Sequence, residues 1–349
     1  MTVPSVDLKT NLDFWIDGRF APLDEPCFYA DEHFANYGTG GIEGACTYRR
    51  PNNVVIFRPI DRFVRFREET AKELFLEVKW TPEELTEITK ELIRRNEAKI
   101  KSGEVIRTMF RGEVLEFREP PDRWYIRPHV RHRARSLGVY TPPDTGVLIF
   151  IEPFDKYHGE EAFKKGAALK IVDERRIDPR SLSSKAKLIP FYTVGYKAAK
   201  KAKEANATEA ILLDMWGYVA DGSGGSISMI KNGVLYIPRK HSSLDGIVRK
   251  SVAQLAKKEL GMKVKRTDFS PKQLYEADEV LLTGNAAEVM HVREVDGHLI
   301  GDGSIGPYVK QLQNMFFGIV YDDPNLFPNC GKYQHWMEPV YSYKTSEVI

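Results

Sequence analysis

Residues 217–237, GYVADGSGGSISMIKNGVLYI, read as a short strand, a loop of small residues and a hairpin. Asn232-Gly233, between SISMIK and VLYI, is a strong two-residue hairpin signal. A chain that connects its strands this locally lacks the regular βαβ alternation of a doubly wound sheet. One carboxylate, Asp221, stands at the mouth of the loop Gly222-Ser223-Gly224-Gly225-Ser226, and its place there needs a reason.

Outward from this stretch, ALKIVDERRI (168–177) and EAILLDMWGYVA (209–220) read as strands on either side of a helix over 192–206. Further helices are expected over 244–261, ending at a Gly cap, from Ser270-Pro271-Lys272-Gln273, and over 306–320. DEVLLTG (278–284) has the composition of a buried strand. Earlier in the chain, TPEELTEITKELIRRNEAKI (81–100) is a helix by its Thr81–Glu84 capping box, Pro82 at the first position and the spacing of Leu85, Ile88 and Leu92. Segments 123–135 and 145–154 read as strands. The pattern breaks over 150–163, the candidate linker. The expected organisation is an N-terminal α+β domain (1–152), a C-terminal α/β domain (153–325) and a tail (326–349). The fold class is mixed α/β.

Composition excludes several classes. With 349 residues, 42% hydrophobic and 29% charged, the chain reads as an ordinary globular protein. A net charge of +2 gives no reason to expect nucleic acid or a membrane surface as partner. No apolar run is long enough to span a bilayer, and the first twenty residues do not resemble a secretory signal. Cys27, Cys46 and Cys330 are scattered, so neither a disulfide framework nor a zinc motif is legible, and a cytoplasmic setting is expected. His129 and His132 have no third ligand nearby in sequence, and no metal is expected.

Lys185 and Lys187 in DPRSLSSKAKLIPFYTVGY (178–196) are two apart and would share a face on a strand. A lysine entering a site can act as a Schiff-base nucleophile, whereas a solvated surface pair is the plainer reading. Arg58, Arg62, Arg65 and Arg67 read as a wet helix start. The Gly-rich pieces 38–44 and 222–226 match neither a dinucleotide fingerprint nor a phosphate-loop lysine motif.

Taken in order, the segments FWIDGRF, HFANYGTGGIEGACTY, VIFRPIDRFVRF, YIRP, KAKLIPFY, AILLDMWGYVADGSG, NGVLYIP, LDGIVRKSVAQLAKKELG, YEADEVLLTGNAAEVMHVREVDG and IGDGSIGPYVKQLQ strongly resemble fold-type IV pyridoxal-phosphate enzymes, most closely the branched-chain aminotransferases. They run collinearly over roughly residues 14–320. The resemblance implies a two-domain fold-type IV architecture, an aminotransferase passing an amino group between an amino acid and a 2-oxo acid, pyridoxal 5'-phosphate as cofactor and a homodimer. It places the cofactor lysine on Lys187 and the tyrosine that bonds the cofactor's phenolic oxygen on Tyr192. Arg65, the backbone N–H groups of Ile247 and Val248, and Asn285 fall on phosphate-binding positions. Asp221 falls where the family's carboxylate pairs with the pyridine nitrogen. Tyr37, Tyr125, Arg127, Tyr157, Ala286 and Ala287 match positions that shape the substrate pocket, and Tyr37 with the loop at Leu137-Gly138-Val139 matches segments that reach a neighbouring subunit.

The chain also departs from the family. Asp221 replaces a glutamate, Gly225-Ser226 replaces Glu-Asn, and bulky Ile189-Pro190-Phe191 replaces small residues after the lysine. Cys46 and Ile42 replace an arginine and a phenylalanine. On a strand, Tyr125, Arg127, His129, Arg131, Arg133 and Arg135 share one face. That cationic row raises an acidic substrate as an expectation, against a strand running out into solvent. The departures point to a non-standard specificity. Another cofactor-dependent reaction on the same fold, of the aminodeoxychorismate-lyase kind, is the alternative, and a non-catalytic scaffold is the third reading.

Overall fold

The computed structural model describes residues 10–110, 113–154 and 158–343. The chain forms two compact units, Met1–Asp155 with Trp336–Ile349, and Lys156–His335. The fold is the mixed α/β class read from the sequence.

The first unit is built on β1 (Asp13–Ile16), β2 (Arg19–Pro22), β3 (Gly40–Ile42), β4 (Ala45–Arg49) and β5 (Asn53–Phe57). The hairpin β6 (Ile106–Phe110) and β7 (Glu113–Phe117) stands apart as a two-stranded sheet. The long strands β8 (Trp124–His132) and β9 (Thr145–Pro153) lie at the middle of its main sheet. Around these lie α1 (His33–Tyr37), α2 (Pro59–Arg65), a π-helical turn over Phe66–Ala71, and α3 (Pro82–Lys101). β8 and β9 pair antiparallel along their whole length, from Trp124 opposite Pro153 to His132 opposite Thr145. The expected capping box of α3 is present: Thr81 Oγ1 accepts from the Glu84 N–H at 3.1 Å, and Glu84 Oε2 accepts from the Thr81 N–H at 2.7 Å. Leu85, Leu92, Ile93 and Ile100 of α3 are fully buried against sheet residues such as Ile56, Ile126 and Ile149. Leu92→Ala is expected to lower the unfolding free energy by about 2–5 kcal/mol, through lost transfer energy and a residual cavity. Urea titration reads this as a lower midpoint at unchanged slope.

The second unit carries β10 (Ala167–Arg175), β11 (Glu209–Leu213), β12 (Val219–Gly222), β13 (Ser226–Lys231), β14 (Val234–Ile237), β15 (Lys263–Arg266), β16 (Glu279–Gly284), β17 (Glu288–Val295) and β18 (His298–Leu299). Its strand order is β12-β11-β10-β17-β16-β13-β14-β15, with β18 on β17. Helices α4 (Gly159–Lys165), α5 (Pro190–Glu204), α6 (Ile247–Lys258), α7 (Pro271–Tyr275) and α8 (Pro307–Tyr321) flank it. The hairpin at Asn232-Gly233 forms as read, with both residues at positive φ, 51° and 70°.

Some local readings change. The run 209–220 is two antiparallel strands, because Asp214 accepts from the Trp216 and Tyr218 N–H groups and turns the chain. Helix α6 stops at Lys258, three residues short of Gly261, which takes the left-handed conformation in the following turn. Lys185 and Lys187 lie in an irregular segment ahead of α5 instead of on a strand, with Lys185 exposed and Lys187 half-buried. Residues 326–349, a tail by sequence, include β19 (Met337–Ser342), which runs antiparallel to β5 and joins the first unit's main sheet.

Candidate active site

In the first unit, β5 leads into α2 through Arg58, whose backbone is left-handed (φ 49°). The wet helix start does not hold for Arg62 and Arg65, which are buried. Arg62 donates to the Phe57 and Gly44 carbonyls at 3.1 and 2.6 Å, and burial pulls its pKa down. Arg65 makes a two-pronged ion pair with Glu43, Nε to Oε2 and Nη2 to Oε1, each 2.8 Å. Glu43 also accepts from the Gly44 N–H at 2.9 Å, so the GIEG turn and the guanidinium plane hold each other. Sequence reading missed Glu43: it lies 22 positions before Arg65, and no spacing connects them.

The face of β8 is less cationic than its sequence. Arg131 is buried against Glu32, at 3.2 Å, and Asp17, at 3.4 Å. Arg133 pairs with Asp17 and Asp144, and Arg135 with Asp31. His129 does not extend the basic row. Burial, reinforced by Arg127 and Arg131, pushes its pKa down to about 3, so the ring is neutral at physiological pH. Tyr125 and Arg127 remain half-buried, with the guanidinium 4.8 Å from the tyrosine ring centre. Cys46 is buried and accepts from Arg123 Nη2 at 3.3 Å. Tyr37 donates through its hydroxyl to the Leu137 carbonyl, and His33 Nε2 meets the Val139 carbonyl at 2.9 Å. These bonds pin a loop whose Leu137 and Val139 side chains are exposed.

In the second unit, Lys187 precedes α5, and Tyr192 sits half-buried in its first turn. Asp221 lies within β12, opposite Leu212, one residue before the strand's end at Gly222. It is buried; its Oδ2 accepts from the Leu244 N–H at 3.0 Å, and among the described residues its Oδ1 has no hydrogen-bond partner. Burial pushes its carboxyl upward while Arg176 and Arg249 pull it down. The glycines beside it mark close backbone passage: a Cβ on Gly222 would come 2.9 Å from the Gly225 carbonyl, and one on Gly225 2.7 Å from Leu282. Glu209, also buried, accepts from the Ala210 and Ser223 N–H groups and the Ser223 hydroxyl, fastening that loop from below. Helix α6 starts at Ile247 and Val248 after Gly246, and no side chain caps it. Asn285 and Ala286 are half-buried between β16 and β17, whereas Ala287 is buried in the unit's apolar cluster. Tyr157 lies outside the described residues.

These features fit pyridoxal phosphate: a lysine, a buried carboxylate oxygen lacking a hydrogen-bond partner among the described residues, and a helix start with no side-chain cap. Among the described residues, one His/Asp cluster (Asp214, His241 and Asp268) brings possible ligand atoms within 4.8 Å. Asp214 is engaged by Ser242 and two backbone N–H groups, and Asp268 by Arg239. No described helix is long and apolar enough to cross a membrane.

Comparison with known proteins identifies the family. The chain is 34% identical over 339 residues to a probable branched-chain-amino-acid aminotransferase of Aquifex aeolicus, covering 95% of this chain and 98% of that protein. The crystal structure of the Escherichia coli branched-chain amino acid aminotransferase superposes with a TM-score of 0.83 at 28% identity, over 95% of this chain and 100% of that one. A branched-chain aminotransferase from the thermophilic archaeon Thermoproteus uzoniensis, crystallised with norvaline, gives 0.80 at 28% identity, over 95% and 99%. A further branched-chain enzyme of known structure, complexed with N-(5'-phosphopyridoxyl)-L-glutamate, gives 0.80 at 32% identity, over 95% and 99%. The family model for amino-transferase class IV matches residues 52–295, and the chain belongs to that family of pyridoxal-phosphate-dependent aminotransferases.

Proposed function

We propose that this aminotransferase binds pyridoxal 5'-phosphate through Lys187 and uses it to move an amino group from an amino acid to a 2-oxo acid. The observation that carries the reading is the buried Asp221 carboxylate, with one oxygen held by the Leu244 N–H and the other without a hydrogen-bond partner among the described residues. When bound, the cofactor supplies the electron sink that stabilises negative charge at the substrate α-carbon. The chain's residues supply the rest. Asp221 would hold a proton at the pyridine nitrogen, and Tyr192 would bond the phenolic oxygen. By the family resemblance the N–H groups of Ile247 and Val248 and the Asn285 amide would bind phosphate in the second unit; Arg65, set in plane by Glu43, matches a phosphate-binding position of the first unit. The Lys187 amino group takes the α-proton and returns it. By the family resemblance Tyr37, Tyr125 and Arg127 match substrate positions of the first unit and Ala286 one of the second, and the loop at 137–139 would join a homodimer. The setting is the cytoplasm.

Substrate choice is non-standard in this reading, with an acidic amino acid as one partner. Its support is narrower than the sequence row, since Arg131, Arg133 and Arg135 are engaged by acids of the chain. Arg127 is the residue of the row on which the reading is tested. Arg127→Leu is expected to lower kcat/KM for glutamate by about 10–100-fold, and for leucine far less, by removing a charge-assisted contact. Equal losses for both donors overturn the acidic assignment.

The direct experiment is a visible spectrum of the protein loaded with pyridoxal phosphate, with amino acids added singly. Bleaching of the cofactor band by particular donors, reversed by 2-oxo acids, supports transamination and names the donor class. A band unmoved by every amino acid excludes it.

A further inference from the structure

Asp221 and Arg249 face each other in the interior of the second unit. Three of their polar atoms, Asp221 Oδ1 and Arg249 Nε and Nη1, are buried without a hydrogen-bond partner among the described residues. Nη1 stands 4.0 Å from Oδ1. The remaining atoms of both side chains converge on one loop. Leu244 donates its N–H to Asp221 Oδ2 at 3.0 Å. Arg249 Nη2 donates to the Ser243 hydroxyl at 3.0 Å and to the Leu244 carbonyl. Arg249 grows from the first turn of α6, one position beyond Val248, and the loop passes close by: a Cβ on Gly246 would come 3.1 Å from Ser226 Oγ and 3.8 Å from Arg249 Cβ. One side chain therefore ties the start of α6 to the loop and, through Leu244, to Asp221.

We infer that Arg249 is a positioning residue: it keeps Asp221 ionised and fixes its place relative to the first N–H groups of α6. The inference rests on the reading of Asp221 and α6 as the two ends of the cofactor cradle. Its physical basis is the cost of a buried charge. A carboxylate removed from water stays ionised only where opposite charge or donors compensate, and removing a compensating partner favours the neutral acid. The other groups facing Asp221 are Arg176, which follows β10, and the Ser226 hydroxyl from β13, while Asp245 and Arg266 bear on Arg249 by charge. A neutral acid at 221 cannot hold a proton on a ring nitrogen, and a released loop no longer sets the helix start against it.

The test uses R249M, R249K, D221N and the R249M/D221N double variant. In the apoprotein, carbon-13 spectra of labelled aspartate carboxyls identify Asp221 by its loss in D221N. Asp221 is expected to be ionised at pH 7 in the parent and in R249K, and protonated in R249M. Pyridoxal phosphate, titrated by absorbance, is expected to bind about 10–100-fold more weakly to R249M. The double variant should bind no more weakly than the weaker single one, because both changes act on one unit. An ionised Asp221 in R249M, with cofactor affinity within about twofold of the parent, overturns the inference alone, as do fully additive losses. Unchanged affinity and spectrum in D221N overturn the cradle reading together with it. Should R249M fail to fold by circular dichroism, R249Q takes its place in every readout.

Discussion

Lys187→Ala is expected to abolish transamination, with a loss on the order of 10⁴-fold or more, because one side chain both anchors the cofactor and moves the α-proton. The fold should survive. Lys187 is half-buried in an irregular segment, and the packing there belongs to its neighbours Ala186 and Leu188, both fully buried. The measurement is donor turnover beside the visible spectrum and a thermal melt. A variant with a native melt, no cofactor band and no turnover fits the assignment. Activity within tenfold of the parent moves the chemistry to another amine, and exposed Lys185 is the nearest in sequence.

Arg131→Leu is expected to destabilise the first unit by about 3–5 kcal/mol and to leave substrate preference unchanged. Arg131 is buried between Glu32, Asp17 and the Cys27 carbonyl, to which its Nη2 donates at 3.1 Å. Leucine restores much of the apolar volume, but it leaves the buried Glu32 carboxylate without its main counter-charge. Denaturant titration checks the first half, and kcat/KM for glutamate and leucine, measured below the melting range, checks the second. A stable Arg131→Leu protein with weakened acidic substrates would return Arg131 to the pocket.

What the sequence made legible were features written in adjacent residues. The capping boxes of α3 and α7 and the Asn232-Gly233 hairpin each need only a few neighbours, and all are present; β8 is found too, but it ends at His132, three residues short of the strand read over 123–135. Asp221 and Lys187 were singled out by ordered motifs rather than by periodicity. What escaped were partnerships across sequence. Glu43 with Arg65 and Glu32 with Arg131 join residues 22 and 99 positions apart, so a row of cations on β8 looked open when its acids stood elsewhere. His129 shows the same limit. Its place on the strand is plain from alternation, but its loss of charge comes from burial among Phe150, Ile42 and two guanidinium groups, which no local pattern encodes. Arg249 sat unread inside a helix segment because its acid lies 28 positions earlier.

The pairing of β19 with β5 has a consequence for synthesis. Met337 lies opposite Phe57, 280 residues further along the chain. At translation speeds of about 5–20 residues per second, β5 waits on the order of 14–56 s on the ribosome before its partner emerges. During that interval the strand feeding Arg58, Arg62 and Arg65 presents an open sheet edge of Val54, Val55 and Ile56, an invitation to misassociate that nascent-chain chaperones exist to decline.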